Sequence, residues 1–233
     1  MLLPYPFLKN RRLIFICVIA ALCVSVAAII SLPTDETGDI ADITDMTEDE
    51  DVYEPRNPGP DEIDLLKTKA AAGDPSSKHA LSVLYRYGDG VEPNQEKFLS
   101  LLQEAADAGL PNARTDLGTI LFYGEYMEQD YQKAAKLFRL AANDEYPQAE
   151  YSLGVCYERG LGVEKDEAKA VKWYRIAAEH GYSWAQCNLG WCYIEGFGVE
   201  KDREKAIYWY RKAAAQGDKA AAQNLINMNV DFK

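Results

Sequence analysis

The chain has 233 residues and a formal net charge of −12, with 37 Asp and Glu against 25 Lys and Arg. The acidity is concentrated: between Thr34 and Asp64, thirteen acidic residues stand against one Arg, so the charge says little about the rest of the chain beyond arguing against nucleic acid as a partner. Two histidines in the whole sequence leave little material for a His-based catalytic or metal centre.

In chain order, a basic flank comes first, with Lys9, Arg11 and Arg12 within residues 1–12. The uncharged apolar run Leu13–Leu32 follows, about 20 residues and long enough to cross a bilayer as a helix. It reads as a permanent transmembrane anchor. A cleaved signal peptide, with Ser25 and Ala27 before the cut, is the other reading, but Ile29 and Ile30 extend the run past that site. A lipid on Cys23 is discounted because Leu22 stands where a small residue is needed. The basic flank predicts a cytoplasmic N-terminus, a single pass, and the remainder of the chain outside the cytoplasm, whether periplasmic, extracellular or lumenal. Secretion after cleavage is the alternative. Residues 33–60, rich in like charges and closed by Pro55, Pro58, Gly59 and Pro60, read as a disordered acidic linker.

From here the sequence repeats every 36 residues. Units 77–112, 113–148, 149–184 and 185–220 align without a gap. Leu81, Leu117, Leu153 and Leu189 coincide, as do Ser82, Gly118, Gly154 and Gly190, then Gly88, Gly124, Gly160 and Gly196. Alanine pairs recur at Ala105, Ala141, Ala177 and Ala213. A fixed period of this length marks stacked supersecondary units that bury their apolar faces only against one another, so residues 61–233 form one domain.

Each unit carries the signals of two helices. In the third, Leu153, Cys156 and Tyr157 have helical spacing, Gly160-Leu161-Gly162 breaks the helix, and Asp166 is placed to cap a second helix running through Ala170, Trp173, Tyr174 and Ala177 to His180-Gly181. Asn94, Asp130 and Asp202 hold the matching cap positions. Small residues at Gly154 and Gly190 admit close helix approach, and Trp173, Tyr174, Trp209 and Tyr210 fill the space between units.

On these residues the chain resembles the Sel-1-like repeat family, a branch of the tetratricopeptide-type helical solenoids. Ala149 to Tyr157, Gly160 to Asp166 and Lys169 to Ala178 match its pattern, and the likeness extends over about residues 61–229. The resemblance implies an all-α, right-handed superhelical solenoid of antiparallel helix pairs that acts as an adaptor or scaffold for other proteins. Departures from the pattern predict irregular turns in the second unit, where Glu125-Tyr126-Met127 and Glu145 replace the usual glycines. Segments 61–72 and 221–229 align with half a unit each and read as capping helices.

A binding groove is expected on the first helices, at positions three, seven and ten of the unit. These are His79, Val83 and Arg86; Thr115, Thr119 and Phe122; Tyr151, Val155 and Glu158; and Cys187, Trp191 and Ile194. Arg86, Phe122, Tyr151, Glu158, Trp191 and Ile194 are the candidate groove residues, since aromatics and Arg dominate binding energy. Packing between helices is the competing role for the aromatics. His79 and His180 lie in different repeats without a Ser-His-Asp, metal-ligand or phosphate-loop context, so no catalytic residue, metal or cofactor is assigned. Cys187 and Cys192 point to different sides of one helix, and Cys156 and Cys192 read as buried thiols. The function expected is a membrane-anchored scaffold for protein or peptide partners. A cell-envelope hydrolase acting on peptide or glycan is the alternative from another class, for which Glu158 with Arg86 would be a poor acid–base pair; a secreted effector is the third.

Overall fold

The computed structural model describes residues 58–230. These residues fold as an all-α repeat solenoid of ten helices: α1 Pro60–Ala71, α2 Pro75–Tyr87, α3 Gln95–Asp107, α4 Pro111–Tyr123, α5 Tyr131–Asn143, α6 Pro147–Arg159, α7 Glu167–Glu179, α8 Ser183–Glu195, α9 Arg203–Ala214 and α10 Lys219–Asn227. Each repeat is a pair, α2 with α3, α4 with α5, α6 with α7 and α8 with α9. The half-unit helices α1 and α10 flank them, as the alignment of 61–72 and 221–229 requires.

The expected capping residues start the second helices. Asn94, Asp130, Asp166 and Asp202 each accept a hydrogen bond from the backbone N–H three residues on, at 2.9, 2.9, 2.9 and 3.0 Å. The first helices start two residues earlier than the repeat boundaries suggest, on Pro75, Pro111 and Pro147, because proline fixes a helical φ where an N–H has no partner anyway. They end on left-handed Gly88, Gly124, Gly160 and Gly196.

The core is built from the repeated positions. Leu117, Leu153 and Leu189 and the alanines Ala105, Ala141, Ala177 and Ala213 are buried. Gly154 sits against Tyr174 so closely that a Cβ there would lie 2.6 Å from the ring. At the equivalent positions of the first repeat the slightly larger Ser82 and the smaller Leu102 are both buried.

The second repeat's turns keep the common backbone, contrary to the irregularity expected. Tyr126 (φ 61°) adopts the left-handed conformation of Gly90, Gly162 and Gly198, and Glu145 (φ 57°) that of Gly109, Gly181 and Gly217. The second repeat thus keeps the turn backbone with non-glycine residues in it, although at the equivalent Gly162 a Cβ would collide with the Tyr131 carbonyl, and the Tyr126 ring packs edge-on against Phe98 at 5.3 Å.

The localisation expected from the sequence is corrected. Among the described residues no helix is long and apolar enough to cross a membrane; the ten helices have 9 to 13 residues, short of the roughly 20 that a span requires. The segment Leu13–Leu32, the tail 1–12 and most of the linker 33–60 lie outside the described residues, so single-pass membrane anchoring is not retained.

Candidate protein-binding face

First helices pack on one another directly and form one layer of the solenoid. His79 on α2 reaches Asp116 on α4 through Nε2 at 2.7 Å, and Nδ1 of the same ring meets the amide of Asn112 at 3.2 Å. Two repeats on, Asn188 of α8 donates to the hydroxyl of Tyr151 on α6 at 3.3 Å. Both bonds join position three of one unit to position four of the next.

Those contacts decide which side chains remain at the surface of the layer. Position three is largely consumed in packing: Thr115 is buried, and Tyr151 is only 9% exposed, ringed by Tyr174, Tyr182 and Trp184 at 5.6, 5.3 and 6.1 Å. At position ten, Phe122 is 8% exposed and contacts Tyr123, Tyr131 and Phe138. Phe122 and Tyr151 are therefore wall rather than surface, which corrects the expectation that they line an open groove.

The other four candidates are partly exposed. Trp191 lies against Phe197 at 5.3 Å. Ile194 packs at the edge of the core. Arg86 stacks over Tyr87, Phe98 and Tyr126 at 5.3, 5.4 and 5.5 Å, with Glu125 at 3.7 Å. Glu158 accepts a hydrogen bond from Tyr174, so it and Arg86, on different repeats and engaged with different partners, are not an acid–base pair.

The accessible stripe of the first helices runs instead through positions four, seven and eleven: Asp116, Thr119 and Tyr123; Ser152 and Arg159; Asn188, Trp191 and Glu195. Partly exposed Trp184 adjoins it beside Tyr182 at 5.8 Å. Sequence reasoning missed Asp116, Ser152, Asn188 and Trp184. The available signal was the run of Asp, Ser and Asn at one position of successive units, where a core position would be apolar.

A second polar series joins the first helix of each unit to the exposed end of its own second helix. Lys78 pairs with Glu104 at 2.8 Å, Arg114 with Asp144 at 3.0 Å, Glu150 with His180 at 2.9 Å, and Gln216 donates to Gln186 at 2.8 Å. Arg114 and Gln186 also donate to the carbonyls of Ala106 and Ala178 in the preceding unit. Glu150, 1% exposed, has its carboxyl pushed above the usual range by burial, with His180 opposing that shift. His180 thus closes a carboxylate clasp, a more specific role than a charge near a helix end.

Cys156 and Cys192 are buried, and among the described residues none of the three cysteines is in a disulfide; burial pushes the Cys156 thiol up to about 12.

The model of the Sel1 repeat matches residues 75–110, 111–146, 147–182 and 185–218, more than half of the chain. The chain belongs to the Sel1 repeat family. Among solved structures, this Sel1 protein is similar to a protective antigen of uropathogenic Escherichia coli displaying an SLR fold, at 36% identity over 71% of this chain and 36% of that one, TM-score 0.68. It is also similar to a Sel1 repeat protein from Oxalobacter formigenes, at 28% identity over 68% and 63% of the two chains, TM-score 0.65. An immunity protein from Pseudomonas aeruginosa matches at 27% identity over 73% and 63%, TM-score 0.51. The Sel1 chain here thus spans about a third of the first of these proteins and under two thirds of the others. A search of curated proteins found no match.

Proposed function

We infer that the chain is a non-catalytic scaffold that holds a protein or peptide partner against its layer of first helices. The observation that carries this reading is the stripe of Asp116, Ser152 and Asn188, hydrogen-bonding side chains partly exposed at one position of three successive helices, beside the partly exposed indoles of Trp184 and Trp191. A carboxylate, a hydroxyl and an amide at regular intervals, each held in place by one bond to His79, Gln148 or Tyr151, retain further hydrogen-bonding capacity for the backbone of a bound chain, and indoles supply apolar anchors of the kind that dominate binding energy. Trp191, Arg86, Ile194 and Glu158 border the same face; Phe122 and Tyr151 support it from below. A right-handed superhelix, as the family resemblance implies, would present these groups to one partner along a continuous curve.

The test is affinity capture by the full chain beside an Asn188→Ala, Trp191→Ala variant whose circular dichroism and melting match the parent. A protein retained by the parent and lost by the variant supports the reading. Identical retention by both would overturn the use of this face.

A further inference from the structure

Helix α8 carries a stripe particular to the fourth repeat. Trp184, Asn188, Trp191 and Glu195 follow one another at intervals of four, three and four residues, which keeps them on one helical face. The equivalent residues of α6 are Gln148, Ser152, Val155 and Arg159. Each indole has a second partly exposed ring beside it. Tyr182 lies next to Trp184 at 5.8 Å and an interplanar angle of 61°, and Phe197 next to Trp191 at 5.3 Å and 43°, so the helix presents two aromatic corners.

The polar groups between those corners are mostly donors. Neither indole N–H has an acceptor among the described residues, and Asn188 donates one amide N–H to the Tyr151 hydroxyl and keeps the other. An ordinary extended segment brings N–H groups as well as carbonyls, and the Asn188 oxygen is the one side-chain acceptor that the stripe offers it between the indoles. Proline brings a carbonyl and no N–H, and a polyproline II helix makes no internal hydrogen bonds, so its carbonyls remain available to outside donors. At the far end of the stripe Glu195 is exposed and has no ion pair among the described residues, which suits a cationic side chain.

We propose that α8 binds a polyproline II segment of the form Pro-x-x-Pro-x-Arg or Pro-x-x-Pro-x-Lys. The prolines enter the two aromatic corners, carbonyls between them accept from the indoles and Asn188, and the cation meets Glu195. Trp184 and Trp191 are separated by about 10.5 Å of helix axis, and prolines three residues apart in a polyproline II helix by about 9.3 Å. Glu195 lies about 6 Å beyond Trp191 along the axis, and two further polyproline II residues span about 6.2 Å. This partner class rests on the scaffold reading of the first-helix face and narrows it to one chemistry.

The experiment uses the full chain and the end-blocked fluorescent peptide Ala-Pro-Pro-Ala-Pro-Pro-Arg-Ala, read by anisotropy. Saturable binding is expected, weakened about tenfold or more when the prolines are changed to alanine or in a Trp191→Ala variant. Glu195→Lys should bind this peptide several-fold more weakly and should prefer the peptide with Glu in place of Arg, a reversal that loss of folding cannot produce. Absence of saturable binding, equal affinity for the proline-free peptide, or an unchanged charge preference in Glu195→Lys would each overturn the proposal. Equal binding of both peptides that is lost in Trp191→Ala would overturn the proline preference and leave the scaffold reading standing; binding untouched by Trp191→Ala would overturn both.

Discussion

The hydroxyl of Tyr174, wholly buried between α6 and α7, donates to the carboxylate of Glu158 on the facing helix. In the preceding repeat the equivalent pair is Phe138 and Phe122, rings at 6.2 Å with no hydroxyl to satisfy. A buried phenol needs an acceptor and a phenyl ring does not; in the fourth repeat the same positions hold Tyr210 and Ile194, so the Tyr174–Glu158 bond belongs to the third repeat.

Glu158→Ala should therefore cost about 1–3 kcal/mol, the penalty for leaving a buried donor unmade. In a Tyr174→Phe background the same substitution should cost much less, because the orphaned group is gone. Urea midpoints for the four proteins of this cycle give the coupling; purely additive values would contradict the assignment.

Gly154→Ala should destabilise by about 1–3 kcal/mol through overpacking against Tyr174. A Gly154→Ser, Tyr174→Leu double variant copies the Ser82 and Leu102 pairing of the first repeat and should recover part of the loss. Thermal unfolding of single and double variants separates this from a general intolerance at residue 154.

Glu145→Gly should stabilise the chain by about 1 kcal/mol, since a left-handed φ is costly for a residue with a Cβ and free of that cost for glycine. The other three repeats already carry glycine there. A lower melting temperature for the variant would mean that the Glu145 side chain contributes more than its backbone costs.

The pH response of the third clasp follows from Glu150. Its folded-state pKa is raised above the ordinary 4.5 by burial, so the folded state holds the proton more tightly than the unfolded chain does. Stability from this group is full below the unfolded value and is lost as pH rises through the folded one. Glu150→Gln, which copies Gln186 of the next repeat, should be more stable than the parent at about pH 8, with the difference narrowing toward about pH 4. Denaturant midpoints across that range test the sign.

Thiol reagents applied to the native chain should label Cys187 well ahead of Cys156 and Cys192, which are buried and hold their protons. Peptide mapping by mass spectrometry reads each site, and all three should label once the chain is unfolded.

The period, the pairing of helices and their caps were legible because each is written locally: Asp166 needs only the N–H of Lys169, and Gly160 needs only its own φ. The surface was less legible because exposure on a first helix is set by residues far away in sequence. Tyr151 is withdrawn by Tyr174, Tyr182 and Trp184, and no spacing within α6 announces that. Glu145 and Tyr126 show the converse, where departures read as altered turns proved to be altered residues on an unaltered backbone.

The four clasps invite a last comparison. Lys78 with Glu104 and Arg114 with Asp144 are ion pairs whose attraction added salt screens; Glu150 with His180 answers to acidity; Gln186 with Gln216 carries no charge to screen or titrate. Four contacts at equivalent places therefore respond to different properties of the surrounding solution, and a change of medium would weaken the helix pair of one repeat while leaving the next unaffected.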